Sequence, residues 1–260
     1  MKVCGVDPAP GKGLQVFDGE DRTYPVERAR GFLETIRHMG EVLVTWDAPL
    51  SGPPACVPDG AGEMGPAFTQ RPIDSFFRQA AGLKAPKGIS VQGYGGCPHW
   101  TISRSLLGLP RVGPYDAPAS SLPFLLASAD QGQRPSSGCH VAEVHPAVAL
   151  WLWCRGRRDD GELSWEYKRD DDVLHELWRV LTKKTDAGRV LGLGDSCTDM
   201  NDDELDARVA YALGRLWLDD PESVVLLGDL DTGTFLVPRV DGIVEGFEKF
   251  VAKNAPRAMK

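Results

Sequence analysis

Three short apolar runs, each stopped by a carboxylate, constrain this chain more than any other feature. Residues 3–6 end at Asp7, residues 41–46 end at Asp47, and residues 139–144 carry Glu143 near their end. Short runs rich in Val, Leu and aromatic residues, bounded by Gly, Pro or acidic residues, read as strands. In an α/β sheet whose central strands run parallel, ligands bind beyond the carboxyl ends of those strands. If these three strands are parallel neighbours, their acids converge at one edge. Asp is also an ordinary turn former, so turn chemistry is the competing explanation for each one taken singly.

The remaining pattern fits around these strands. Leu14, Val16 and Phe17 form a second strand with Asp18-Gly19 as its turn, and residues 23–26 form a third. Phe32, Leu33 and Ile36 are spaced as one face of a helix over 27–38. The opening is thus a meander of three strands, a helix and a fourth strand, which predicts an α/β fold. Residues 48–66 are too rich in Gly and Pro to sustain a regular element. Helical patches follow at 73–81, 101–107 and 122–129, so 48–138 reads as a large, mainly helical insertion after the fourth strand. Its length exceeds an ordinary crossover and suits a binding surface or lid. Beyond the strand at 139–144 come helices at 148–153, 173–181 and 202–218, a strand at 234–237 and a closing helix at 243–251. The division this predicts is a single domain over 1–260, with its core in 1–47 and 139–240.

Composition narrows the function. A net charge of −8 argues against a protein that coats nucleic acid by neutralising phosphates, but leaves room for an enzyme that meets phosphates locally. No apolar run approaches the length of a membrane span. Asp7 stands where a signal peptide needs its apolar stretch, so the expected compartment is the cytoplasm. The six cysteines, at 4, 56, 97, 139, 154 and 197, include no Cys-x-x-Cys pair and are expected to be free thiols. Cys97-Pro98-His99 and Cys139-His140 each resemble half of a zinc site without a second half.

The helix at 202–218 supplies the sharpest chemical signal. Asp203 and Asp206 lie at i and i+3 on one face, and Ala207, Ala210 and Gly214 continue that face as a stripe of small residues able to approach a sheet closely. Asn201 with Glu204 resembles a capping box, and acids near a helix start are favoured by its dipole. Asp206 sits deeper, where an unpaired carboxylate is costly and a cation removes the cost. Hard divalent ions take oxygen ligands, and Mg²⁺ works with one or two carboxylates plus substrate phosphate. Two such ions suit in-line phosphodiester hydrolysis. Glu143 and His145 alternate onto one face of their strand. His145 is either a proton shuttle or phosphate contact, or a hydrogen-bonding residue at a strand-to-helix turn. Gly11-Lys12-Gly13 lacks P-loop spacing and reads as a hairpin turn, with Lys12 a candidate phosphate contact. In the insertion, Arg71, Phe76, Phe77, Arg78, Tyr94, His99, Trp100 and Arg104 mix aromatic and basic types suited to bases and phosphates, with Arg71 and Arg104 the candidate substrate contacts. Phe76 and Phe77 also suit a core. The basic run Arg155, Arg157, Arg158, Lys168 and Arg169 is interleaved with acids and reads as a solvated loop.

The order Gly5-Val6-Asp7, Thr45-Trp46-Asp47-Ala48-Pro49 and Asp203-x-x-Asp206-Ala207 resembles the ribonuclease-H-like superfamily. The late helix is especially similar to Holliday-junction resolvases. Glu143-Val144-His145-Pro146-Ala147, with Trp151, resembles a family of predicted ribonuclease-H-like nucleases. The resemblance implies a mixed sheet flanked by helices, and Mg²⁺ or Mn²⁺ held by Asp7, Asp47, Asp203 and Asp206. It also implies hydrolysis of nucleic acid, RNA or DNA, with Asp7, Asp47, Asp203 and Asp206 at the catalytic centre; Glu143 and His145 are candidate catalytic residues from their own placement. Resolvases often carry Glu where this chain has Asp47. Two other functions stay open: a ribonuclease-H-like module that binds nucleic acid or protein without catalysis, and an actin-like phosphotransferase. The latter lacks its second phosphate motif in this sequence.

Overall fold

A computed structural model describes residues 1–9, 12–51, 71–89, 91, 103–109, 124–127, 135–157, 164–192, 199–230 and 232–254. Strands β1 (Lys2–Ala9), β2 (Gly13–Phe17) and β3 (Asp21–Tyr24) form an antiparallel meander, followed by helix α1 (Val26–Arg37) and strand β4 (Val42–Trp46). Strand β4 lies parallel to β1, β6 (Cys139–Glu143) lies parallel to β4, and the short β5 (Leu125–Leu126) lies parallel to β6. The result is a six-stranded mixed sheet in the order β3-β2-β1-β4-β6-β5. A separate antiparallel pair joins β7 (Val224–Leu227) to β8 (Phe235–Pro238).

Helices cover both faces of the large sheet because both faces of its central strands are apolar. On one face Cys4, Val6, Val42, Val44, Trp46 and Val141 pack with Phe32, Leu33 and Ile36 of α1. On the other, Val3, Leu43 and Ala142 pack with α3 (Pro146–Cys154), α4 (Asp171–Lys184) and α6 (Asp202–Asp219). Helix α3 is buried all round, as its unbroken apolar sequence dictates. The short α5 (Ala187–Leu191) and the terminal α7 (Ile243–Asn254) complete the helices that frame the site.

Helix α6 is fixed at both levels that the sequence suggested. The Asn201 side chain accepts from Glu204 N at 2.9 Å while Asn201 N donates to the Glu204 carboxylate at 3.0 Å, a closed capping box. Its small-residue stripe lies directly on the sheet. A Cβ at Gly5 would stand 2.1 Å from Ala207 O, and one at Gly214 would stand 2.8 Å from Val3 Cγ1. Thr45 Oγ1 donates to Ala210 O at 2.7 Å, pinning helix to strand. Gly5 faces Ala207 and Tyr211 while Val3 faces Gly214, so the helix runs antiparallel to β1 and its N-terminal turns reach the level of Asp7.

The region after β4 contains α2 (Pro72–Gln79) and a further helical segment at 103–107. It differs from expectation at 122–129. Leu125 and Leu126 form the strand β5, because an apolar pair beside the open edge of β6 satisfies its backbone by ladder pairing. Residues 224–227, prominent in the sequence only as an apolar run, pair with β8. Phe76 and Phe77 are core residues. Tyr94, His99, Trp100, Arg158, Cys97 and most of 48–138 lie outside the described residues. Among the described residues, no helix is long and apolar enough to cross a membrane.

Candidate functional site

The register of the parallel strands determines which acids meet. Val6 pairs with Trp46, and Trp46 with Glu143. Asp7 and Asp47 each follow one of these paired residues, so they stand side by side on the α6 face, with Asp47 N bonded to Val6 O at 2.9 Å. Neighbouring strands lie about 4.8 Å apart. Asp7 and Asp47 are 6% and 3% exposed, and no hydrogen bond among the described residues satisfies either carboxylate. Burial first, then the charge of Asp206, pushes the Asp7 carboxyl well above the usual carboxylate range. Burial first, then Asp7 and Asp206, does the same to Asp47.

Asp206, also buried, completes the acidic face from the helix side. Its Oδ1 accepts from Tyr167 Oη at 2.7 Å, and the Lys168 ammonium lies 2.7 Å from Oδ2 as an ion pair outside hydrogen-bond alignment. Asp203, one turn earlier, lies at the rim, where Lys12 Nζ reaches it at 3.2 Å. The structure therefore brings Asp7, Asp47 and Asp206 into one electrostatic cluster and places Lys12 and Asp203 at its edge. The cluster stops short of a closed cage: among the described residues no three His, Cys, Asp or Glu side chains converge closely enough to hold an ion by themselves. Two adjacent carboxylates without partners nevertheless match the protein ligand set that Mg²⁺ uses, the rest coming from water and substrate.

Glu143 does not join them. It is in register with Trp46 itself, one residue short of Asp47, and a one-residue offset sends a side chain to the opposite face. There its Oε2 accepts from Leu50 N at 2.8 Å, Ser51 N at 3.2 Å and Ser51 Oγ at 3.0 Å, and its Oε1 lies 2.6 Å from Arg71 Nη1. Arg71 also grips Asp74 through two bonds, at 2.9 and 3.0 Å, and donates to Ser51 O. Burial opposes the Arg71 charge, and Asp74 and Glu143 more than restore it. Arg104 donates to Leu50 O. Arg71 and Arg104 are both buried, so the structure gives these two expected substrate contacts to the backbone and carboxylates behind the strand ends. A buried ionic knot of this kind fixes how the chain leaves β4.

His145 forms the start of α3 and lines a cavity together with Asp47 and Asp206. Among the described residues, both of its ring nitrogens are buried without a geometric hydrogen bond. Burial pushes the imidazole down to about 4, so it is neutral at physiological pH. The same cavity is lined by Tyr167, Lys168 and Arg169, from a segment whose interleaved charges suggested only a solvated loop. The Asp170 N-cap of α4, which accepts from Asp172 N and Val173 N, is the one sequence signal that fixes where this loop turns into the helix. Cys139 and His140 are engaged with the backbone oxygens of Arg37 and Ser137 rather than with a metal half-site. Cys4, Cys139 and Cys154 are free thiols.

No family model, no curated protein and no solved structure matches this chain.

Proposed function

We propose that this protein is a divalent-metal-dependent phosphodiesterase acting on nucleic acid, built on a ribonuclease-H-like fold. The observation that carries the reading is the pair Asp7 and Asp47, buried, adjacent and unpartnered at the ends of parallel strands, with Asp206 delivered beside them. An unpaired buried carboxylate is costly, and two together are tolerated most readily where a cation is meant to enter. A mixed sheet that opens as a meander and turns parallel, helices on both faces and a helical stretch after β4 support the fold assignment.

Asp7 and Asp47 would hold Mg²⁺ or Mn²⁺, with Asp206 and Asp203 as further oxygen donors. When bound, the ion supplies Lewis acidity toward a phosphoryl oxygen and toward the attacking water. The protein's own part is positioning and charge. Asp7 and Asp47 present their carboxylates on one face at the spacing of the strands. Tyr167 and Lys168 orient Asp206. His145, neutral and unpartnered, offers one donor and one acceptor inside the cavity. Lys168 and Lys12, both exposed, supply positive charge at the mouth for phosphate.

One observation favours a second reading, a binding module without catalysis. Lys168 already places a positive charge against Asp206, as a fold that had dispensed with metal would do. Titration with Mn²⁺ by calorimetry, together with incubation on single-stranded, duplex and branched DNA and RNA, separates the two. The nuclease reading expects ion binding, and cleavage that Asp7→Asn and Asp47→Asn abolish. Cleavage that survives both substitutions would remove it, and absence of ion binding would leave the binding module.

A further inference from the structure

Asp47, at the end of β4, and Asp206 open onto a cavity of about 410 Å³, within the range of roughly 300–1,000 Å³ typical of small-molecule sites. Its walls differ in chemistry. Asp47 and Asp206 form an anionic side, Ile89 and Ala147 an apolar one, and the loop opposite brings Lys168 and Arg169 together with the acid Glu166, while His145 also lines the space. Among the described residues, neither His145 nitrogen has a partner although the residue is more than nine-tenths buried. Buried polar atoms in folded proteins are nearly always satisfied, by protein, water or ligand, so this imidazole is open to polar groups that enter the cavity.

The cavity is also preformed on one side. Gly88 has a φ of +98°, and a Cβ there would lie 2.9 Å from Trp165 C. The turn before Ile89 therefore rests directly on the loop that carries Tyr167, Lys168 and Arg169. Only glycine permits both the conformation and the approach.

Resting on the phosphodiesterase reading, we infer that this cavity takes one phosphorylated nucleotide unit, the terminus of a single strand, rather than the middle of a duplex. Two cations match one or two phosphates, and the apolar wall offers a surface for a base or sugar. A duplex gripped along its length needs a basic track, and the chain carries a net charge of −8. The cavity's anionic side lies where the scissile phosphate of such a terminus would meet Asp47 and Asp206.

The probe is thymidine 5′-monophosphate, which has no diester bond to break, titrated calorimetrically into the full chain with Mn²⁺ present. In parallel, linear single-stranded, circular single-stranded and blunt duplex DNA of one sequence are tested for cleavage. The inference expects saturable binding of the monophosphate, a loss of about tenfold in Arg169→Ala, as for one charge-assisted hydrogen bond, and cleavage of linear but not circular strands. Arg169 is exposed, so that variant should keep its melting temperature, and His145→Phe provides a second arm. Cleavage of circles or duplex interiors without monophosphate binding overturns the inference and leaves the nuclease reading standing. Binding without cleavage of any substrate supports the cavity and removes the nuclease. Neither binding nor cleavage overturns both.

Discussion

Replacing Asp7 by Asn should stabilise the metal-free protein, an unusual outcome for a buried substitution. The two carboxylates at the ends of β1 and β4 stand about 5 Å apart, the spacing of neighbouring strands. At an effective dielectric constant of about 20 their repulsion amounts to about 3 kcal/mol. Asp206 repels Asp7 as well, and Lys168, 2.7 Å from Asp206, offsets part of that repulsion. The asparagine has nearly the same volume, and its amide can donate to Asp47, so the repulsion becomes a hydrogen bond. For a chain of this size about 3 kcal/mol corresponds to a rise of roughly 6–12 °C in melting temperature. Both carboxyls hold their protons to higher pH when folded than when unfolded. The folded state therefore binds more protons, and wild-type stability falls as pH rises above the ordinary value of 3.8 toward the folded titration. The advantage of Asp7→Asn should accordingly grow from pH 5 to pH 8. Thermal unfolding followed by circular dichroism in a chelating buffer measures it directly. Added Mn²⁺ should then raise the wild type more than the variant, since binding to the folded state alone stabilises it. A variant that melts below the wild type in chelator at both pH values would refute the claim that these acids are uncompensated.

Three further outcomes follow from neighbouring contacts. Lys168→Met removes a cation from the edge of the cluster, and a charge at 4 Å in water-like surroundings is worth about 1 kcal/mol, so calorimetry should show Mn²⁺ binding tightened about fivefold. Gly5→Ala forces a methyl group to within 2.1 Å of Ala207 O and 2.3 Å of Tyr211 N, so α6 must lift from β1. Overpacking of this kind costs about 1–3 kcal/mol or more, and both a lower melting point and weaker Mn²⁺ binding are expected. Glu143→Gln leaves Arg71 with Asp74 as its remaining carboxylate partner. Breaking one side of a buried pair costs about 3–5 kcal/mol, so urea unfolding should show that loss while the folded protein keeps its Mn²⁺ affinity; a collapse in affinity instead would place Glu143 in the site.

What the sequence disclosed depended on whether the information was local. The α/β order, the meander and the small-residue stripe on α6 are periodicities within one element, and each was readable from spacing alone. So was the Asn201–Glu204 cap, whose partners are three residues apart. Glu143 shows where that reading stops. Its strand looks like the other two, yet the side to which an acid points depends on lateral register between strands nearly a hundred residues apart, and nothing within residues 139–144 records that offset. Arg71 illustrates the same limit differently. It reads as a substrate contact, and only Asp74 with the distant Glu143 and Ser51 draws it into the interior. Lys168 was hidden because its partner Asp206 lies on another helix, while its own neighbours are acids that make it look solvated. The residues that complete the candidate site from outside the strands, Tyr167, Lys168 and Arg169, are thus the ones whose importance is created by tertiary packing. On the proposed reading they are also the ones on which substrate choice would turn. Asp7 and Asp47 fix a place for positive charge, and any phosphate ligand brings negative charge to it. The loop before α4 lines the cavity at that place and packs against Gly88, so on the proposed reading it would decide which ligands fit. Changing that loop should therefore alter specificity while leaving ion binding to the strand ends intact.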